Sequence, residues 1–290
     1  MKHTPEEILK KRTQQSHTIL LTGATGFLGS NIAYDLIKKG HKLILLARAN
    51  KDLTPTQRFE KIFHWFGLKK EDLVNITIFE ATLEEKNLGL ETNDYHDLLQ
   101  YTDEIIHSAA ATSFSERHRA HIERTNLTSL LNILTLAQES HCYFFHHIST
   151  AYVAGRRTGI CQEELGEAHT FYNVYEETKY LGEKLAIKEC EKSGVRLNIY
   201  RPSIVYGDSK TGRSNRFNAL YYPIKSALFL KEMYERDIHE NNGKKAWEMG
   251  VKMEPDGYFH LPCKTHSAQK WHDQSCPNRL FYKSFLLNFP

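Results

Sequence analysis

The chain has 290 residues, enough for one large domain or a large one with a small appendage, and too few for two full-size domains. Its formal charge of +3, from 38 Lys+Arg against 35 Asp+Glu, announces no basic face for nucleic acid or an anionic membrane and leaves a small molecule as the expected partner. The cysteines at 142, 161, 190, 263 and 276 are odd in number and form no Cys-x-x-Cys pair, which argues against a disulfide framework and for a reducing cytoplasm.

Residues 1–16 form a polar segment without the apolar core of an export signal, and no apolar run approaches the roughly 20 residues that span a bilayer. From Thr18 short β-branched runs alternate with helix-period segments, the rhythm of βαβ units around a parallel sheet. The expected strands are Thr18–Thr22, Lys42–Ala47, Val74–Phe79, Glu104–His107, Tyr143–Ser149 and Arg196–Tyr200. Between them helices are expected over Phe27–Lys39, from Thr54-Pro55 with Phe59, Ile62, Phe63 and Phe66 on one face, over Arg119–Gln138, and over Tyr175–Lys192 closing near Gly194. After Asp208 the rhythm dissolves, with one helical stretch near Leu220–Arg236 and no strand expected beyond it. The expected architecture is therefore α/β: a Rossmann-type doubly wound domain over 17–208 and a small, incomplete substrate region over 209–290.

Directly after the first strand stands Gly23-Ala24-Thr25-Gly26-Phe27-Leu28-Gly29. A strand-to-helix turn that binds pyrophosphate needs one glycine for its bend, one for close approach and one for helix packing. Strand, spacing and following helix agree here, so dinucleotide binding is preferred to a ligand-free tight turn. The second strand ends in Arg48 where NAD-binding chains place a carboxylate; a guanidinium there pairs with a 2′-phosphate, no neighbouring carboxylate is apparent, and Arg58 stands ready to assist. NADPH is the expected cofactor, against the alternative that Arg48 is a solvated strand-end charge.

Tyr175 and Lys179 lie four apart, one turn along the same helix face. A phenol is a poor acid or base at neutral pH, and an adjacent ammonium is expected to lower its pKa. Thr150, at the carboxyl edge of the sheet, is the expected holder of a substrate carbonyl oxygen, in preference to Ser149.

These residues resemble the extended short-chain dehydrogenase/reductases, and among them the fatty acyl-CoA and carrier-protein thioester reductases, the male sterility-like branch. The resemblance covers about residues 17–210 and rests on Thr22–Gly29, Ile106-His107-Ser108-Ala109-Ala110, His147–Val153, Tyr175-Glu176-Glu177-Thr178-Lys179 and Arg201–Asp208. It implies an active site of Thr150, Tyr175 and Lys179, with Asn126 holding a water-linked proton path. It assigns cofactor contacts to Gly23, Thr25, Gly26, Phe27, Leu28, Gly29, Arg48, Arg58, Thr82, Leu83, Ser108, Ala109, Ala110, Pro202, Ser203 and Ile204, together with Tyr175 and Lys179. The implied reaction is reduction of an acyl thioester, delivered by CoA or a carrier protein, to aldehyde or alcohol, which places the chain in lipid metabolism. Assembly stays open, a homodimer included.

The sequence departs from the family in two places. Ala81-Thr82-Leu83 replaces Gly-Asp-Leu, so Thr82 takes over a weaker hydrogen bond to adenine, and the segment after Gly257–Pro262 lacks the returning apolar strand, as a truncated tail would. Cys263, His266, His272 and Cys276 have irregular spacing for zinc, and no metal is expected. Two rival readings remain: a sugar-nucleotide epimerase, dehydratase or hydroxysteroid-type dehydrogenase on the same fold, and a non-catalytic NADP sensor or inactive truncated relative.

Overall fold

In the computed structural model the described residues are 4, 6, 10, 17–166, 170–217, 221–242, 244, 252–253 and 259–260. The chain divides into two compact units, Met1–Asn218 and Ala219–Pro290.

The first unit is a six-stranded parallel sheet in the order β3-β2-β1-β4-β5-β6. Its strands are β1 (Thr18–Thr22), β2 (Lys42–Ala47), β3 (Ile76–Glu80), β4 (Glu104–His107), β5 (Phe144–Ile148) and β6 (Arg196–Tyr200). Alternation along each strand splits the apolar residues between two cores. On one face Leu20, Ile44, Leu46, Ile105 and Phe145 pack with Leu98, Leu130 and Ala186; on the other Ile19, Leu21, Leu43 and Leu45 pack with Ala33, Ile37, Phe59 and Phe63. The helices are α1 (Phe27–Lys38), α2 (Pro55–Trp65), α3 (Thr92–Tyr101), α4 (Arg119–Glu123), α5 (Ser129–Glu139) and α6 (Val174–Ser193). β1 lies between β2 and β4, so the strand order reverses at its carboxyl end, where open α/β sheets bind ligands.

Beyond shifts of one residue at element ends, the sequence expectation and the structure differ in the following elements. β3 begins at Ile76 because Val74 sits 77% exposed in the preceding turn rather than in the sheet. The helix expected over Arg119–Gln138 is interrupted by one π turn, Arg124–Thr128, which separates α4 from α5. Helix α3 has a polar, weakly periodic sequence held by a single fully buried residue, Leu98, and was not anticipated. The second unit contains α7 (Tyr221–Asn241) and an unanticipated antiparallel pair, β7 (Lys252–Met253) with β8 (Phe259–His260), each strand too short to show a period. Cys263, His266, His272 and Cys276 lie outside the described residues, and among the described ones no helix is long and apolar enough to cross a membrane.

Candidate active site

The glycine turn is built by contact. Gly23 has φ +73°, and a Cβ there would stand 2.6 Å from the Ala109 nitrogen; a Cβ on Gly29 would collide with the Gly23 carbonyl. Thr22 Oγ1 accepts from the amides of Ser108 and Ala109, both at 3.2 Å, which ties the end of β4 to the turn. Helix α1 has Gly26 as its N-cap and no side chain capping it, so its first-turn amides face the turn with the positive end of the helix dipole. An anion such as a pyrophosphate fits this cradle, which supports NAD(P) binding.

At the outer edge of the turn Arg58 donates from Nη2 to Thr25 Oγ1 at 2.9 Å and from Nη1 to the Arg48 carbonyl at 2.6 Å. The expectation that no carboxylate stands near Arg48 is corrected: Glu84 Oε1 lies 3.4 Å from Arg48 Nη1. Glu84 arrives from the loop after β3, so the proximity is tertiary. Its carboxylate also accepts from Thr125 at 3.0 Å, and Arg48, 54% exposed, keeps donors for a second anion. Thr82 and Leu83 begin this loop; the Thr82 amide bonds the Leu88 carbonyl and Leu83 is buried.

Sequence reading missed Arg216. Its Nη2 donates to the Thr25 carbonyl at 2.7 Å, beside Arg58, and the arginine pKa of Arg58 is lowered by burial first and then by the charges of Arg216 and Arg48. Pro202 accepts the Ala151 amide at 2.9 Å, linking the β6 edge to the Thr150 turn, while Ser203 is exposed and Ile204 and Ala110 are half-buried.

Thr150, Tyr175 and Lys179 do come together. Helix α6 starts at a reciprocal cap: Asn173 Oδ1 accepts the Glu176 amide at 3.0 Å, and Glu176 takes the Asn173 amide group and the Tyr172 N–H. That cap puts Tyr175 in the first turn. Its phenol is hydrogen-bonded to Thr150, and Thr150 also accepts the Tyr152 amide at 3.3 Å. Lys179 is buried and donates to the Ile148 carbonyl at 2.7 Å.

The expected depression of the tyrosine pKa by Lys179 is also corrected. Burial raises the Tyr175 pKa, the Thr150 bond works against it, and Tyr152 raises it further; Lys179 is not among the causes. Burial pushes Lys179 down to about 8, with Glu183 opposing. Behind the lysine, His107 and His147 are stacked with ring centroids 5.9 Å apart, and burial drives both toward neutrality, His107 to about 3.

Asn126 lies in the π turn with its amide fully engaged. It clamps both the amide and carbonyl of Ala111, at 2.7 and 3.1 Å, and donates to Thr178 at 2.9 Å, joining the loop after β4 to α6. The end of β6 is fixed by Arg201, paired to fully buried Glu183 at 2.6 and 3.0 Å. Phe114, 56% exposed, stands 5.7 Å from the Tyr175 ring and 6.4 Å from the Tyr152 ring, an aromatic wall that sequence reading missed because neither period nor motif marks it.

The family model described as Male sterility protein matches residues 21–249. The large subunit of L-2-aminoadipate reductase from Candida glabrata is 28% identical over 234 residues, 73% of this chain and 17% of that protein, so the chain spans under a fifth of that relative. The terminal R domain of the myxalamid PKS-NRPS biosynthetic pathway superposes with a TM-score of 0.65 at 26% identity, over 73% of this chain and 55% of that one. UDP-glucuronic acid 4-epimerase from Bacillus cereus, at 22% identity and TM-score 0.57 over 74% and 63%, shares the fold. With the cradle, the parallel sheet and a match over most of its length, the chain belongs to the male sterility protein family, an NAD(P)-binding branch of the extended short-chain dehydrogenase/reductases.

Proposed function

We propose that the protein is an NADPH-dependent reductase of acyl thioesters, CoA-bound or carrier-bound, in a reducing cytoplasm. The observation that carries the reading is the convergence of Thr150, Tyr175 and Lys179 at the carboxyl edge of β5, beside the glycine cradle. Reductase names among the relatives and the reductase domain among the structural neighbours support it. NADPH is preferred to NADH because Arg48 and Arg58 flank the turn.

A bound NADPH supplies the hydride that goes to the carbonyl carbon. Thr150 and Tyr175 hydroxyls hold the carbonyl oxygen. As negative charge develops there, Tyr175 donates its phenolic proton, for which a raised pKa is suited because the group stays protonated at neutral pH. The C–S bond of the resulting hemithioacetal then breaks, its hydroxyl proton passing to the departing sulfur, so that a thiol leaves and an aldehyde remains; a hydride from a second NADPH would give the alcohol. Lys179, anchored on Ile148, holds positive charge beside this centre below pH about 8 and would bind the nicotinamide ribose. Asn126 keeps the Ala111 loop against α6, and the proton path assigned to it would run alongside that clamp. Thr82 and Leu83 would border the adenine, and Ser108, Ala109, Ala110, Pro202, Ser203 and Ile204 the remainder of the cofactor.

The test is oxidation of NADPH by purified protein with long-chain acyl-CoA or an acyl carrier protein, with aldehyde and alcohol measured as products. Aldehyde formation that is lost in Tyr175→Phe supports the reading. NADPH binding without product from any thioester would sink it.

A further inference from the structure

Two guanidinium groups converge on one residue, Thr25, at the lip of the glycine turn, and the backbone of a third arginine, Arg48, is bound to one of them. Arg58 holds the Thr25 hydroxyl at 2.9 Å, Arg216 holds the Thr25 carbonyl at 2.7 Å, and Arg58 also grips the backbone of Arg48 at 2.6 Å. The charges feel one another, since Arg216 and Arg48 both disfavour the protonated form of Arg58. Glu84 offsets one of them, at 3.4 Å from Arg48. Among the described residues no carboxylate forms an ion pair with Arg58 or Arg216.

Arg216 comes from a loop with its own tethers to the first helices. Asn215 donates to Ser30 at 2.8 Å, and Arg213 donates to the Trp65 carbonyl at 3.2 Å while its guanidinium lies 4.5 Å from the centre of the Trp65 ring. Asp208 starts the loop by accepting from the amides of Lys210 and Thr211 and from the Thr211 hydroxyl. The loop therefore carries a cation toward a place where two others already stand, against their repulsion.

We infer that Arg216 is a third arm of the site for the 2′-phosphate of NADPH, so that the dianion fastens the 208–217 loop to the glycine turn. This rests on the NADPH reading above. A monoester dianion offers three acceptor oxygens, enough for Arg48, Arg58 and Arg216 together, and it removes the repulsion that otherwise opposes the loop's position. The 5′-side of the cofactor, bound by the helix N-terminus, does not need Arg216.

The experiment is calorimetric titration with 2′,5′-ADP and 5′-ADP, which needs no turnover. Wild type is expected to bind 2′,5′-ADP at least tenfold more tightly than 5′-ADP. Arg216→Gln is expected to cut 2′,5′-ADP affinity about fivefold to tenfold and leave 5′-ADP unchanged, with Arg216→Lys recovering part of the loss. Asn215→Ala, which loosens the loop and keeps the charge, should lose less than Arg216→Gln. If Arg48→Gln abolishes the preference while Arg216→Gln keeps it, the third arm is overturned and the NADPH reading stands. If wild type shows no preference, the NADPH reading itself falls and the inference with it.

Discussion

At the arginine end of the site, Arg48 and Arg216 are exposed and Arg58 is half-buried; Arg58 and Arg216 are held by backbone carbonyls and a threonine hydroxyl, and Arg48 by the Glu84 carboxylate. At the tyrosine end, Thr150 and Lys179 are sunk in the structure, with Glu183 and Arg201 closing the floor and neutral histidines behind. Exposed charges act through water and salt, and their effect appears as affinity. Buried groups act through desolvation, and their effect appears as proton affinity, rate and stability. Substitutions should therefore separate cleanly by end.

The largest separation is expected from Tyr175→Phe. Removing the hydroxyl proposed as the proton donor should lower thioester-dependent NADPH oxidation by about a hundredfold to ten-thousandfold, while NADPH titration and thermal stability change little. A parallel fall in NADPH affinity would show that the two ends are not independent.

Next in size is the floor. Glu183 is fully buried and Arg201 retains 16% of its side-chain exposure, so Arg201→Met leaves a carboxylate without its cation in the interior. The loss should be about 3 kcal/mol, at the low end for a broken buried pair because Arg201 is partly wet. Thermal or urea unfolding reads it directly. A change below about 0.5 kcal/mol would mean that the pair behaves as a surface one.

How legible this division was in the sequence differs from residue to residue. The glycine turn was readable because its requirement is local: only glycine tolerates φ +73° at position 23 and the approach of the Ala109 backbone. That Tyr175 and Lys179 share one helix face was readable from their spacing, while their pairing as a site rested on the strand-edge setting and the family resemblance rather than on spacing alone. The cap that positions them was written as Asn173-x-x-Glu176 and went unread, which set the expected helix start one residue late. What was illegible is tertiary. Glu84 beside Arg48 joins loops 36 residues apart, Arg216 sits in a loop with no period, and the Tyr175 and Lys179 pKa directions follow from burial that no pattern specifies.

The pH dependence tests the buried end alone. Lys179 is lowered from 10.5 to about 8, so its ammonium is lost as pH rises through 8, and activity that needs this charge should fall there while Tyr175, raised above 10.0, remains protonated. The stability sign is the reverse. Between about 8 and 10.5 the unfolded chain binds the lysine proton and the folded one does not, so stability should rise with pH across that window as the unfavourable burial of charge disappears. A kcat/KM profile flat to pH 10 would remove the Lys179 charge from the reaction.

The smallest effect belongs to the exposed end. Arg48→Gln removes one solvated cation, already shared with Glu84, from the place expected to meet the 2′-phosphate. NADPH affinity should fall about tenfold, roughly 1.4 kcal/mol, with NADH affinity and unfolding temperature unchanged. Because a charge that is 54% exposed is screened by salt, raising ionic strength should weaken NADPH binding to wild type more than to the variant. Equal salt slopes would mean that Arg48 makes no phosphate contact, and the preference for NADPH would then have to come from Arg58 and Arg216 alone.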